Sequence, residues 1–174
     1  MSQIHSFPAI ENPTARVLVL GSMPGKASLR AHQYYAHPQN AFWRIFGDLI
    51  GAGRDLPYET RIEVLRSSGI VLWDVLKSCT RESSLDSDID DSSIVANDFA
   101  AFFETHPAIS RVFFNGAKAQ ACYDRYVLPF LDAKLGVLQY QRLPSTSPAH
   151  AAMSYAQKLQ AWQAVISGHS QSGG

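Results

Sequence analysis

Arg16-Val17-Leu18-Val19-Leu20-Gly21-Ser22-Met23-Pro24-Gly25 decides the fold. A strand with one wet face alternates apolar and polar residues, whereas an unbroken apolar run ending in a turn reads as a strand buried on both faces, the signature of a parallel sheet. Gly69-Ile70-Val71-Leu72-Trp73-Asp74 and Arg111-Val112-Phe113-Phe114-Asn115-Gly116 repeat the form, and Gly136-Val137-Leu138-Gln139-Tyr140-Gln141-Arg142-Leu143 is a fourth, more alternating strand. Helical spacing of apolar residues falls between them, over residues 40–50, 58–67, 94–105 and 117–126, and residues 151–166 close the chain. Strands alternating with helices predict an α/β protein, a three-layer α/β/α sandwich with a central four-stranded parallel sheet. In such sheets the ligand crevice lies beyond the carboxyl ends of the strands. Here every strand ends in a polar or Gly/Pro turn: Gly21-Ser22, Asp74, Asn115-Gly116 and Pro144-Ser145. Residues 81–93, acidic and serine-rich, read as a long surface loop. Residues 1–174 read as one domain with its core over about 14–166 and a frayed tail over 167–174.

With 174 residues, 46% of them hydrophobic and 17% charged, the chain can bury a proper core. Cys79 and Cys122 do not make a disulfide framework or a four-cysteine metal site, and read as buried thiols in a reducing compartment. No N-terminal apolar segment is long enough for a signal or membrane helix, so a cytoplasmic, membrane-free protein is expected. The low charge and short length suit a monomer. Net charge is zero, but it is unevenly spread. Residues 12–47 hold no acid yet carry Arg16, Lys26, Arg30 and Arg44; residues 133–174 hold none and carry Lys134, Arg142 and Lys158. Should these stretches meet in space, they give a neutral protein one positive face suited to phosphates; chance clustering is the alternative.

Several residues could carry chemistry. Asn40, just before Ala41-Phe42-Trp43, suits a helix N-cap, or an amide that holds a water or a ligand edge. Tyr34 and Tyr35 are either packing rings or a platform for a flat ligand, while Phe42, Trp43 and Phe46 fall on one helical stripe and read as core. Asp74 could accept from a ring N–H or cap the next turn, and Asn115-Gly116 suits a turn or a ligand contact. Leu143-Pro144-Ser145-Thr146-Ser147-Pro148 is a loop stiffened by two prolines and carrying three hydroxyls, able to press on a phosphate or enter a helix stack. No zinc-spaced His/Cys cluster, phosphate-loop lysine motif or Gly-x-Ser-x-Gly elbow is present, and neither metal nor cofactor is expected.

On these residues the chain resembles the uracil-DNA glycosylase superfamily, and within it the hypoxanthine-DNA glycosylase branch. Gly21-Ser22-Met23-Pro24-Gly25, then Tyr34-Tyr35, Asn40 before Phe42-Trp43, and Leu143-Pro144-Ser145-Thr146-Ser147-Pro148-Ala149 follow that branch in order. Ala36-His37-Pro38 with Asn40 and Phe42-Trp43 is also similar to the mismatch-specific uracil enzymes, and Gly116-x-x-Ala119-Gln120 to the classical ones. The resemblance spans about residues 17–150. It departs where mismatch-specific enzymes carry a water-holding asparagine, here Met23. It departs again where classical enzymes carry an aspartate after the strand and a histidine opening the last loop, here Gly-Ser-Met-Pro-Gly and Leu143.

The resemblance implies a monofunctional DNA glycosylase of base excision repair acting on double-stranded DNA with a damaged or mismatched base. Asn40 is the implied catalytic residue, orienting the water. Ser22, Met23, Pro24, Gly25, Tyr35, Asp74 and Asn115 form the implied base pocket, with Tyr35 stacking and an ionised Asp74 reading the edge. Leu143 to Pro148 form the implied wedge that fills the duplex as the base flips. Hypoxanthine leads as the substrate, with uracil or thymine opposite guanine second. A non-catalytic DNA-binding module and a hydrolase of free nucleosides are the rivals from other classes.

Overall fold

The computed structural model describes residues 3–133 and 137–167. The apolar runs form the strands β2 (Val17–Gly21), β3 (Ile70–Asp74) and β6 (Arg111–Asn115), joined by β7 (Gln139–Leu143) in a fully parallel sheet of order β3-β2-β6-β7. Register pairs Gly21 with Asp74, Leu20 with Phe114, and Asn115 with Leu143, so the four strands finish along one edge. β2 lies between β3, which follows it, and β6, which comes later, and this is the point where strand order reverses.

Because successive side chains on a strand point to opposite faces, each strand feeds two cores. Leu18, Leu20, Val71 and Phe114 pack with Phe99, Phe102 and Phe103 of α4 (Phe99–Thr105) and Cys122 and Tyr123 of α5 (Ala117–Tyr126). Val17, Val19, Leu72 and Phe113 pack the other way. Their partners are Phe42, Trp43 and Phe46 of α2 (Phe42–Ile50), Leu65 of α3 (Tyr58–Ser67) and Trp162 of α6 (Tyr155–Trp162). The three-layer α/β/α sandwich read from the sequence is therefore the observed fold, and Phe42, Trp43 and Phe46 are core. Cys79 and Cys122 are free and buried.

The structure also holds elements the periodicity did not predict. β1 (Gln3–His5), β4 (Leu76–Thr80) and β5 (Val95–Ala96) form a small antiparallel sheet of order β1-β4-β5. Ordered structure thus begins well before residue 14, and Ile10 bridges to Leu72. The helix expected over residues 94–105 starts at Phe99, because Val95 and Ala96 pair with β4 and the Asp98 carboxylate accepts the Ala101 N–H at 3.1 Å as an N-cap. The helix expected over residues 151–166 starts at Tyr155, where Ser154 and Gln157 form a capping box. It is followed by α7 (Ala164–Ser167), so Ser167 closes a helix and only residues 168–174 of the expected tail lie outside the described residues. The fourth strand is shorter than expected, and Gly136 also lies outside them.

Candidate active site

The four strand ends surround a cavity of about 620 Å3, within the range of small-molecule sites. Its floor is the Gly21–Gly25 turn after β2, Asp74 at the end of β3 and Asn115 at the end of β6. One wall is the segment from Ser145 to His150, and Tyr35 and Asn40 enter from the segment leading into α2. The two acid-free stretches of sequence meet here: the Ala41 N–H donates to the Thr146 carbonyl at 3.0 Å. Lys26, Arg30, His37 and His150 stand around the cavity. Not all the basic residues of those stretches are there. Arg16 precedes the opposite end of β2, Lys158 is buried, and Lys134 lies outside the described residues.

At the floor three groups converge. A Cβ on Gly21 would lie 2.6 Å from Asp74 Oδ1 and 2.8 Å from the Tyr35 hydroxyl, so only glycine lets both reach this point. Asp74 is 3% exposed, and among the described residues neither its Oδ2 nor the Tyr35 hydroxyl has a hydrogen-bond partner. Burial pushes the Asp74 carboxyl up to about 7; the Asp86 carboxylate adds to this and the Arg81 guanidinium opposes it. The ionised Asp74 expected from sequence is therefore corrected in direction: burial favours the neutral acid well above the usual carboxylate range. Burial, then the neighbouring Asp74, raises the Tyr35 hydroxyl far above its ordinary range. The Asn115 amide lies near enough to oppose that rise, without hydrogen-bond geometry.

Tyr35 and Tyr34 separate in role. Tyr34 is buried, its hydroxyl donating to the Pro8 carbonyl at 2.9 Å and its carbonyl accepting from Trp43 Nε1 at 2.8 Å. Tyr35 lines the cavity with one ring face stacked on Phe42, centroids 4.1 Å apart and planes 18° from parallel. Its φ of 54° places it in the left-handed region, which an aromatic residue rarely adopts.

Asn40 Oδ1 accepts the Phe42 N–H at 2.9 Å, and the Asn40 N–H donates to the His37 carbonyl at 2.9 Å. The N-cap of α2 is Ala41, not the Asn40 expected from sequence; Asn40 closes an Asx-type turn one residue ahead of it, and this bond is compatible with the ligand reading. A carbonyl oxygen has two lone pairs, and the Phe42 N–H takes one and fixes the plane of the amide. Asn115 is committed differently: its Nδ2 donates to Thr146 Oγ1 at 3.0 Å, and its Oδ1 accepts the Thr146 N–H at 2.9 Å. It lines the cavity, but its amide is engaged at both ends in pinning the final loop, with Gly116 (φ 94°) bringing that loop within 3.1 Å of where a Cβ would stand.

The wedge expected at Leu143–Pro148 needs correction. Leu143 is 2% exposed, ends β7 and belongs to the core; Thr146 is 1% exposed. Neither is presented at the surface where a base stack would meet the loop. The exposed part of the loop is Pro148, with Ala149 and His150 beyond it. Of the expected pocket residues, Ser22, Met23, Pro24 and Gly25 all line the cavity, although Met23 is 7% exposed and packs into the core.

The expected surface loop over residues 81–93 is instead a wall of the cavity, contributing Ser84, Leu85, Asp86 and Ser87. Three bonds clamp it to the floor. The Ser22 hydroxyl donates to Asp86 Oδ1 at 2.6 Å, the Lys26 N–H donates to Ser84 Oγ at 2.9 Å, and Arg81 Nη2 donates to the Pro24 carbonyl. Arg81 is buried, a fact its exposed-looking sequence context hides; the arginine before a run of serines and acids was the available signal.

A cavity with a buried carboxyl at the reversal point of a parallel sheet lies where doubly wound α/β proteins bind their ligands. The family model of the uracil DNA glycosylase superfamily matches residues 8–166, and the chain belongs to that superfamily. It is 41% identical over 114 residues to a hypoxanthine DNA glycosylase of Methanosarcina barkeri (strain Fusaro / DSM 804), and 43% identical over 114 residues to one of Methanosarcina acetivorans; each match covers 65% of this chain and 71% of the relative. The solution structure of a candidate uracil DNA glycosylase from Methanosarcina acetivorans superposes with a TM-score of 0.77 at 36% identity, covering 95% of this chain and 97% of that one.

Proposed function

We propose that this protein is a monofunctional DNA glycosylase of base excision repair that hydrolyses the N-glycosidic bond of a flipped, deaminated base in duplex DNA, hypoxanthine first. The observation that carries the reading is the buried Asp74 carboxyl, beside the Tyr35 hydroxyl, at the floor of a cavity roomy enough for a base. Buried polar atoms without partners are rare, and a site that binds a polar ligand is where they are tolerated. Relatives named hypoxanthine DNA glycosylases support the choice of base.

Lys26, Arg30 and the exposed residues of the final loop hold the phosphates. Flipping costs a few kcal/mol, least for a mispaired base, which favours damaged sites. The free face of Tyr35 stacks on the base, and N–H groups of the Ser22-Met23 turn meet its edge. As the bond breaks through an oxocarbenium-like state, negative charge develops on the leaving base. A carboxylate would oppose that charge; the neutral acid form of Asp74 donates to a base oxygen and stabilises it. Asn40 is no effective base, so its second lone pair accepts a hydrogen bond from the attacking water and aims it at the sugar carbon; as the C–O bond forms and the C–N bond breaks, the proton the water loses ends on the departing base by way of solvent. No lysine nucleophile is invoked, so strand cleavage through a Schiff base is not expected.

Uracil or thymine opposite guanine is the second substrate reading, on the likeness of residues 36–43 to mismatch-specific enzymes. Asn40→Ala tests the chemistry. It is expected to reduce single-turnover base release by 100-fold or more, on the order of a lost positioning group, with duplex affinity within about twofold of wild type. Equal loss of binding and release would remove Asn40 from the reaction.

A further inference from the structure

Asn40 stands between two hollows. One side faces the cavity; the other faces a second groove behind the Tyr35–Asn40 segment, lined also by Arg44, Asp48 and Arg54. Arg54, in the connection after α2, does not line the cavity and so does not touch a bound base. Its Nη2 donates to two backbone carbonyls of the segment, Tyr35 at 3.0 Å and His37 at 2.7 Å. The His37 carbonyl also accepts the Asn40 N–H. One guanidinium nitrogen thus ties together the backbone of the stacking ring and that of the water-orienting amide.

The segment needs such a tie. It runs outside regular helix or strand, and Tyr35 sits in the left-handed region, a conformation that persists only when its surroundings impose it. The other side chains that hold it come from neighbouring elements: the Tyr34 N–H donates to the Tyr58 hydroxyl at 3.0 Å, and the Ala36 N–H to Ser28 Oγ at 3.1 Å. Neither captures the Tyr35 or His37 carbonyl. A charged donor makes stronger bonds to a carbonyl than a neutral one does, and an exposed arginine that is spent on backbone rather than on an acid has a geometric task.

We infer that Arg54 is a positioning residue that holds Tyr35 and Asn40 as one unit from behind the site. The inference rests on the glycosylase reading for its rate measurement. Arg54→Met keeps the stem and removes the donors; Arg54→Lys keeps the charge and one donor nitrogen. Single-turnover release of hypoxanthine from a duplex, duplex affinity at several salt concentrations, thermal midpoint, and backbone amide NMR spectra are measured for wild type and both variants. Arg54→Met is expected to slow release about 10- to 100-fold, as misplacement of a reacting group does. Affinity should stay within about twofold, Arg54→Lys should recover only part of the rate, and amide shifts should concentrate on residues 35–40. Two results overturn the inference: a rate within about twofold of wild type for Arg54→Met, or weaker binding with the salt slope reduced by about one and full recovery in Arg54→Lys, which would make Arg54 a phosphate contact. If wild type releases no base, the glycosylase reading fails by itself. The positioning inference is then decided by the amide shifts: confined to residues 35–40 they uphold it, and absent there they end it.

Discussion

At the scale of single residues, Asp74 links sequence, burial and chemistry most tightly. The register fixes it opposite Gly21, burial lifts its carboxyl to about 7 from the ordinary 3.8, and the neutral form can donate to the leaving base. Release of hypoxanthine is therefore expected to fall as pH rises through about 7. Asp74→Asn, whose amide donates at every pH, should flatten that limb in a rate profile between pH 5.5 and 8.5. A rate that climbs across this range would mean the carboxylate is the active form. Stability should show the same proton. Since the folded state binds it more tightly than the unfolded state, its stabilisation is complete below about pH 4 and is lost as pH rises toward 7. The thermal midpoint of Asp74→Asn relative to wild type should then increase across that window and level off above it. Asn40, Tyr35 and Asp74 are legible in the sequence as candidates, and the structure brings all three to one cavity. The charge state of Asp74 is not legible there, because it depends on burial and on Asp86 and Arg81, which arrive from a segment with no apparent connection to the site.

At the scale of elements, the parallel strands were readable because continuous apolar runs have no other good explanation in a chain this size. β4 was not: Leu76-Lys77-Ser78-Cys79-Thr80 hides its pattern, since Ser78 and Cys79 are buried although one is polar. The wall at residues 81–93 was missed for a related reason. Its composition is that of a solvated loop, and only the clamps from Ser22, Lys26 and Arg81 reveal that it closes the cavity. The final loop shows the opposite failing: its prolines and hydroxyls suggest a wedge along its whole length, but Leu143 ends β7 and is buried, as is Thr146. The loop is held instead by Asn115 and Thr146. Thr146→Val keeps the volume and removes the oxygen that accepts from Asn115, leaving a buried N–H unpaired at a cost of about 1–3 kcal/mol. A thermal midpoint lower by roughly 2–10 °C is expected for a domain of this size, with slower base release because the Ala41 N–H bond to the Thr146 carbonyl ties this loop to Asn40. An unchanged midpoint would show that the pair contributes little.

At the scale of the whole molecule, zero net charge conceals an uneven spread of charge along the chain. The acid-free stretches bring Lys26, Arg30, His37 and His150 around the cavity, while Asp74 and Asp86 are the acids that line it. Duplex binding is expected to weaken linearly in log–log salt plots, and Lys26→Gln with Arg30→Gln to reduce the slope by about two, one per phosphate neutralised. A slope that does not move would place the phosphate contacts elsewhere, with Arg44 or Arg142 the first to examine. The central claim is that this scaffold removes a deaminated base from duplex DNA. Its most direct test is single-turnover release from labelled duplexes carrying one hypoxanthine, uracil, thymine or xanthine, each opposite several partners, scored with and without alkali. The account predicts that hypoxanthine is released fastest, with strand breaks only after alkali. Retained binding with no base released from any duplex would contradict it and leave a DNA-binding module in which Asn40 only closes the turn before α2.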